Sequence, residues 1–136
     1  METDLINLGI GSKKRKLKVL NVEEEIISFP DKYNQDKMKE APKVFLNCES
    51  IEGMGFRLDE AVVKDRKGLL KKAGLWKTLD ASKKLNSDST LAKMLAYYDI
   101  SMLGEMIGME IYAYPKPNNF LVVVACDFEE KDLNWT

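Results

Sequence analysis

The segment KVFLNCESIEGMGFRLDEAVV, residues 43–63, constrains the fold of this chain more than any other. Apolar and polar residues alternate from Lys43 to Glu49, as they do in a strand with one buried face. The glycines of IEGMG then indicate a turn, and FRLDEAVV has the composition of a returning strand. This segment therefore predicts an antiparallel hairpin. The residues on its apolar side are Val44, Leu46, Cys48, Phe56 and Leu58.

The chain before this hairpin predicts further extended structure. Residues 13–29 are rich in β-branched residues and indicate either one bent strand or two successive strands. Residues 30–42 are polar and begin and end with proline, which predicts a long loop. In the first strand, Leu17 and Val19 would face the core, opposite Lys16 and Lys18.

The chain after the hairpin predicts helices and then a second hairpin. Leu69, Leu70, Ala73 and Trp76 form an apolar stripe at helical spacing, which predicts a helix within residues 64–76. A second helix, TLAKMLAYY, would be capped by Asp88 or Ser89, and a short helical turn would follow, ending at Gly108. Residues 110–127 predict a closing hairpin around the turn PKPNN.

This order predicts an α+β, mainly β fold, namely a small OB-like antiparallel barrel of five strands with a helical insertion between the third and fourth strands. At 136 residues the chain has the length of one domain. The predicted organisation is a flexible leader (1–12), a single OB-like domain (13–127) and an acidic C-terminal tail (128–136) that contains Trp135.

Composition excludes several functional classes. The sequence has no histidine, which removes histidine bases, histidine-containing triads and histidine-ligated metals. A net charge of −1 provides no global positive field, so contact with nucleic acid would need a local patch. Cys48 and Cys126 are expected to be buried thiols, although a disulfide between neighbouring strands stays open. Neither a secretory signal nor a membrane span is recognisable, which predicts a cytoplasmic protein.

The polar face of the predicted sheet carries the candidate site. Strict alternation collects aromatic rings among cations on one side, and single-stranded nucleic acid needs both, rings for its bases and cations for its phosphates. The alternative is that the helix of residues 64–76 covers these rings, which would then form a second layer of core. The candidate nucleic-acid-binding residues are Lys16, Lys18, Lys43, Phe45, Arg57, Tyr112 and Tyr114.

The segment LAKMLAYYDISMLGEMIGMEIYAYPKPNNFLVVV resembles the layout of small OB-like single-stranded-DNA-binding proteins of phages and archaeal viruses. The matching residues are Leu103, Ile107, Gly108, Tyr114 and Pro115, with residues 120–124 as the last strand. The chain departs from that layout in its long, lysine-rich middle. The resemblance implies a DNA-replication protein that binds through its sheet face, without catalysis, and it makes Phe45, Tyr112 and Tyr114 stacking candidates.

The predicted function is therefore non-enzymatic binding of single-stranded nucleic acid, DNA or RNA, with no cofactor and no metal. The acidic tail could recruit a replication or recombination protein, and a homodimer is compatible with this prediction. An alternative is a protein-interaction module, such as a viral inhibitor or assembly factor, that uses the same aromatic face or the tail. A small enzyme acting through carboxylates would need an acidic cleft. If the protein is viral, its compartment would be the host cytoplasm.

Overall fold

The computed structural model describes residues 14–116 and 120–133. Within these residues the protein is mainly β, with seven strands, one α-helix and two short 3₁₀ helices, which confirms the predicted mainly β, α+β class. The strands are β1 (Arg15–Pro30), β2 (Met38–Glu49), β3 (Gly55–Leu58), β4 (Glu60–Lys64), β5 (Leu70–Gly74), β6 (Glu110–Pro115) and β7 (Leu121–Val124). The helices are α1 (Thr90–Tyr97) and the 3₁₀ helices Leu103–Met106 and Glu130–Asp132.

The seven strands form one sheet in the order β3-β2-β1-β6-β7-β4-β5. Every neighbouring pair is antiparallel except β4 and β7, which run parallel. Only Asp59 separates β3 from β4, although these two strands lie towards opposite ends of the strand order. The chain leaving β5 also reaches β2, because the backbone N–H of Val44 donates to the carbonyl of Leu75 at 2.8 Å.

The core lies against one face of this sheet, and the alternation in the sequence predicts which residues enter it. Val44, Leu46 and Cys48 are buried, as predicted. Strand β1 is a single long strand with an irregularity between Val19 and Asn21. That irregularity shifts the alternation by one residue. Before it the odd-numbered residues Leu17 and Val19 face the core, and after it the even-numbered Val22 does so.

The predicted helix within residues 64–76 is wrong, because this segment is a β-hairpin between β4 and β5. The carboxylate of Asp65 accepts hydrogen bonds from the backbone N–H groups of Lys67 (2.8 Å) and Leu69 (2.9 Å). Gly68 adopts a φ of +79°, which suits glycine and closes the turn. This hairpin, together with the division of residues 55–64 into β3 and β4, raises the strand number above the five predicted.

The other elements agree more closely with the sequence. Helix α1 is capped by Ser89, whose hydroxyl accepts from the N–H of Ala92 at 3.1 Å. The predicted loop of residues 30–42 is shorter, because β2 begins at Met38 and pairs with β1 from there. The predicted leader (1–12), residues 117–119 of the closing turn and Trp135 lie outside the described residues.

Candidate nucleic-acid interface

The seven predicted site residues lie on the face of the sheet opposite the main core, and their environments divide them into three groups. The ladders between strands set this arrangement: Lys16 lies opposite Tyr112, and Phe45 opposite Glu23. The first group is a capped-ring group on β2 and β3, the second is Tyr114 alone, and the third is an open group at the start of β1. The capped-ring group contains Lys43, Phe45 and Arg57, and the open group contains Lys16, Lys18 and Tyr112.

In the capped-ring group, the ring of Phe45 is covered by a cation. The guanidinium carbon of Arg57 lies 3.8 Å from the ring centroid, and Phe45 is only 8% exposed. The guanidinium also forms ion pairs with Glu25 and, at 3.3 Å, with Glu23. Hydrogen bonds from Asn47 and from Arg57 hold the pKa of Glu23 below its usual range. Two carboxylates thus neutralise one guanidinium, which disfavours a phosphate here.

Lys43 is also engaged within the capped-ring group. Its ammonium pairs with Asp59 at 3.0 Å and lies 4.7 Å from the ring centroid of Trp76. Trp76 in turn meets Phe29 edge to face, with the ring centroids 5.4 Å apart. Sequence reasoning did not place Phe29 on this face. It placed Trp76 on a helix that could cover the face, whereas Trp76 follows β5 and is bridged to Lys43. The bridge between Lys43 and Trp76 brings the two side chains together.

Tyr114 is inaccessible, because it belongs to a second buried cluster. The ring lies 5.7 Å from that of Phe128, and the side chain is 6% exposed. Burial raises the pKa of its hydroxyl. The C-terminal segment that was predicted to be a tail therefore covers Tyr114 with Phe128. The cluster consists of Val62, Tyr114, Val122 and Val124, with Leu70, Cys126, Phe128 and Leu133 packed against it.

The open group combines an accessible ring with cations. Tyr112 is 40% exposed, and the ammonium of Lys14 lies 4.8 Å from its ring centroid. Lys16, its partner across the ladder, shares its charge with Glu110 at 3.5 Å. Lys18 follows on the same face of β1 and is exposed. The backbone N–H of Tyr112 donates to the hydroxyl of Tyr98 at 3.4 Å, which fixes this part of β6 to the end of α1.

A cleft borders the open group, and sequence reasoning did not find it. It has a volume of about 320 Å³ and lies between the start of β1 and the turn that joins β2 to β3. A smaller depression of about 210 Å³ also involves Lys16 and Lys18. In the sequence, the glycines of this turn indicated only a change of chain direction. The exposed apolar residues of the turn were therefore not predicted to bind a ligand. The residues lining this basic cleft are Lys14, Arg15, Lys16, Ser50, Ile51, Glu52, Met54 and Phe56.

Several carboxylates in the described ranges are engaged with cations. Glu23 and Glu25 both contact Arg57, and Glu60 pairs with Lys116 at 2.6 Å. Among residues 14–116 and 120–133, no group of three or more cysteine, aspartate or glutamate side chains is arranged to hold a metal ion. Likewise, no helix in this part of the chain is both long enough and apolar enough to cross a membrane.

Comparisons of the chain with protein-family models, with curated proteins and with solved structures find no match.

Proposed function

We propose that this chain is a non-enzymatic protein that binds single-stranded nucleic acid through the open group at the start of β1. The observation that carries the proposal is the pairing of an exposed ring with cations: Tyr112 is 40% exposed, Lys14 lies over its ring, and Lys16 is its neighbour across the ladder. An unpaired base can stack on such a ring, whereas a base inside a duplex cannot reach it.

The charges near Tyr112 support contact with phosphates. Among the described residues, Lys14 and Lys18 have no carboxylate within 4 Å, in contrast to Lys43 and Arg57. A ring that stacks one base contributes about 1–3 kcal/mol, and neighbouring cations neutralise the adjoining phosphates. The overall charge of −1 is compatible with this proposal, because the field has to be positive only along the path of the strand.

We propose further that the sheet is an OB-like barrel. With only Asp59 between them, β3, which pairs with β2, leads directly into β4, which pairs with β7. A run that joins two distant strands of one sheet favours a sheet that curls on itself. The long strand β1, the parallel pairing of β4 and β7, and α1 before the last two strands also fit a five-stranded Greek-key barrel with an added β5.

The test is binding of a fluorescently labelled oligo-dT, followed by anisotropy at several salt concentrations. We expect saturable binding that weakens as salt rises. Tyr112→Ala should weaken binding about 5- to 150-fold, which corresponds to the loss of one stacked base. Tyr33→Ala is the matched control, because Tyr33 is also exposed and also lies near a lysine, at 5.7 Å from Lys32, but follows the opposite end of β1. Equal affinity of the wild type and Tyr112→Ala would contradict the proposal.

A protein-interaction module is the second candidate, and one observation favours it. Ile26 and Met38 are exposed apolar residues of the β1–β2 hairpin. Met38 lies opposite Pro30, and Pro30 is an even number of residues from Ile26 along β1, so Ile26 and Met38 lie on the same side of the hairpin. A shared apolar side of an exposed hairpin can contact a protein partner. The salt response separates the two candidates, because an apolar protein interface weakens little with salt whereas phosphate contacts weaken steeply.

A further inference from the structure

The turn between β2 and β3 holds two apolar side chains in water. Ile51 is 86% exposed and Met54 is 61% exposed. The turn itself is well bonded: the N–H of Gly53 donates to the carbonyl of Ser50 at 2.9 Å, and the N–H of Met54 donates to the Ser50 hydroxyl at 3.2 Å. Because these hydrogen bonds fix the backbone of the turn, its apolar residues are presented on a preformed support, which lowers the entropic cost of binding a ligand.

The opposite wall of the basic cleft is cationic. Lys14, Arg15 and Lys16 contribute to it from the start of β1. Of these, only Lys16 shares its charge with a carboxylate among the described residues, namely Glu110. Glu52 is the acidic residue of the cleft, and Glu49 lines the smaller depression beside it. The cleft therefore has one charged wall that suits an anion and one apolar wall that suits a flat, uncharged group.

A nucleotide combines these two requirements in one molecule. Its phosphate suits the wall formed by Lys14, Arg15 and Lys16, and its base suits the apolar side chains of Ile51 and Met54. The thioether of Met54 favours contact with an aromatic ring, and the half-buried ring of Phe56 also lines this space. A volume of about 320 Å³ lies at the lower end of the range for small-molecule sites.

We propose that the basic cleft holds one nucleotide of a bound single strand, next to the nucleotide whose base stacks on Tyr112. This inference rests on the proposed function. Lys16 connects the two positions, because it lines the cleft and lies opposite Tyr112 in the ladder between β1 and β6. The strand thus passes over Lys16, with one base on the Tyr112 ring and the next base against Ile51 and Met54.

Methionine methyl NMR tests this placement directly in the full-length chain. The protein is labelled with ¹³C at its methionine methyl groups and titrated with oligo-dT, and the Met54 signal is assigned with a Met54→Leu variant. We expect the Met54 signal to shift on binding and the signal of Met102, an exposed residue outside the cleft, to stay in place. An oligonucleotide of the same length with abasic sites should produce a smaller shift of Met54, because its phosphates remain but its bases are absent.

Affinity measurements give an independent readout. Ile51→Ala with Met54→Ala should weaken oligo-dT binding about 3- to 30-fold, through loss of apolar contact, and leave the salt dependence unchanged. Met102→Ala is the matched control for removal of an exposed methionine and should bind as the wild type does. Circular dichroism checks that each variant is folded.

The outcomes separate this inference from the proposed function. If oligo-dT binds and depends on Tyr112, but Met54 neither shifts nor contributes to affinity, the nucleotide in the cleft is wrong and the proposed function stands. If the wild-type protein does not bind oligo-dT at all, the proposed function is wrong and the inference falls with it.

Discussion

Tyr112 and Tyr114 lie two residues apart on the same face of β6, yet Tyr112 is 40% exposed and Tyr114 only 6%. The difference arises from the C-terminal segment, which places the ring of Phe128 5.7 Å from that of Tyr114. Tyr112 has no such cover and instead has the ammonium of Lys14 over its ring. Two tyrosines that are equivalent in the alternation of the strand thus have different roles: one packs, and the other is available to a ligand.

The first prediction separates these roles by substitution. Tyr114→Ala should lower the free energy of unfolding by about 2–5 kcal/mol, because it leaves a cavity beneath Phe128. Tyr112→Ala should change the free energy of unfolding by less than about 1 kcal/mol and act on binding instead. Urea denaturation followed by circular dichroism measures both variants. Equal stability losses would show that the two rings have the same structural role.

Alternation predicted the buried residues of the central hairpin, because the pattern of Val44, Leu46 and Cys48 depends only on the two-residue period of a strand. It also placed the candidate residues on one face of the sheet. It could not predict which rings are covered, since the partners of Phe45 and Tyr114 are remote in sequence: Arg57 for the first and Phe128 for the second. Such contacts depend on the tertiary fold.

The error in residues 64–76 has a local cause. Leu69, Leu70, Ala73 and Trp76 fit the helical period of 3.6 residues, but the same segment contains a turn signal in Asp65 and Gly68. In the structure this signal prevails, and Lys71 and Lys72, which the helix would have placed on its polar face, lie on β5. A short apolar run is compatible with either period, so turn residues decide between them.

The second prediction concerns Gly74, which leaves room for Trp76. A Cβ atom at this position would lie 2.7 Å from Nε1 of Trp76 and 3.0 Å from Cε of Lys43. Lys43 can move, but the indole is held by Phe29, so Gly74→Ala should lower the free energy of unfolding by about 1–3 kcal/mol. Urea denaturation followed by tryptophan fluorescence measures this loss.

Gly104→Ala is the control for Gly74→Ala, because its added Cβ atom would have no neighbour within 4 Å. It should leave the free energy of unfolding unchanged or raise it by about 0.4–1 kcal/mol, through loss of entropy in the unfolded chain. A Gly74→Ala protein as stable as Gly104→Ala would contradict the close packing of Trp76.

The third prediction concerns the two cysteines, both of which are free thiols. Burial raises the pKa of the Cys48 thiol to about 12, and it also raises the pKa of Cys126, which is only partly buried. The thiolate is the reactive form, so at pH 8 Cys48 is almost entirely in its unreactive thiol form. Iodoacetamide should therefore modify Cys126 first, and faster as pH rises, whereas Cys48 should react only after unfolding in urea. Peptide mapping by mass spectrometry distinguishes the sites, and equal modification in the native protein would contradict the burial of Cys48.

The last prediction tests whether the carboxylates around Arg57 keep the capped-ring group from binding nucleic acid. At neutral pH, Glu23 and Glu25 pair with the guanidinium. The pKa of Glu23 is lower in the folded protein than in the unfolded chain. The ionised Glu23 carboxylate therefore stabilises the fold at pH values above the ordinary pKa of glutamate, and this stabilisation is lost as the pH falls through the pKa of the folded state. Glu23→Gln with Glu25→Gln should release Arg57 at neutral pH and tighten binding of oligo-dT about two- to five-fold, with a salt slope steeper by about 0.7, the value for one additional phosphate contact on a single strand.

Glu24→Gln with Glu40→Gln is the matched control for the effect of charge. It also removes two negative charges from the β1–β2 hairpin, but from its opposite side. Glu24 is adjacent to Glu23 on β1 and points in the opposite direction, and Glu40 lies opposite Ser28, which is on the same side as Glu24. Anisotropy titrations over a range of salt concentrations compare the two double variants. If both tighten binding equally, the gain reflects the change in net charge or the release of Lys77, which pairs with Glu24 at 3.3 Å, and not the guanidinium over Phe45. If only the first does so, the released guanidinium over Phe45 provides a second stacking surface for the strand.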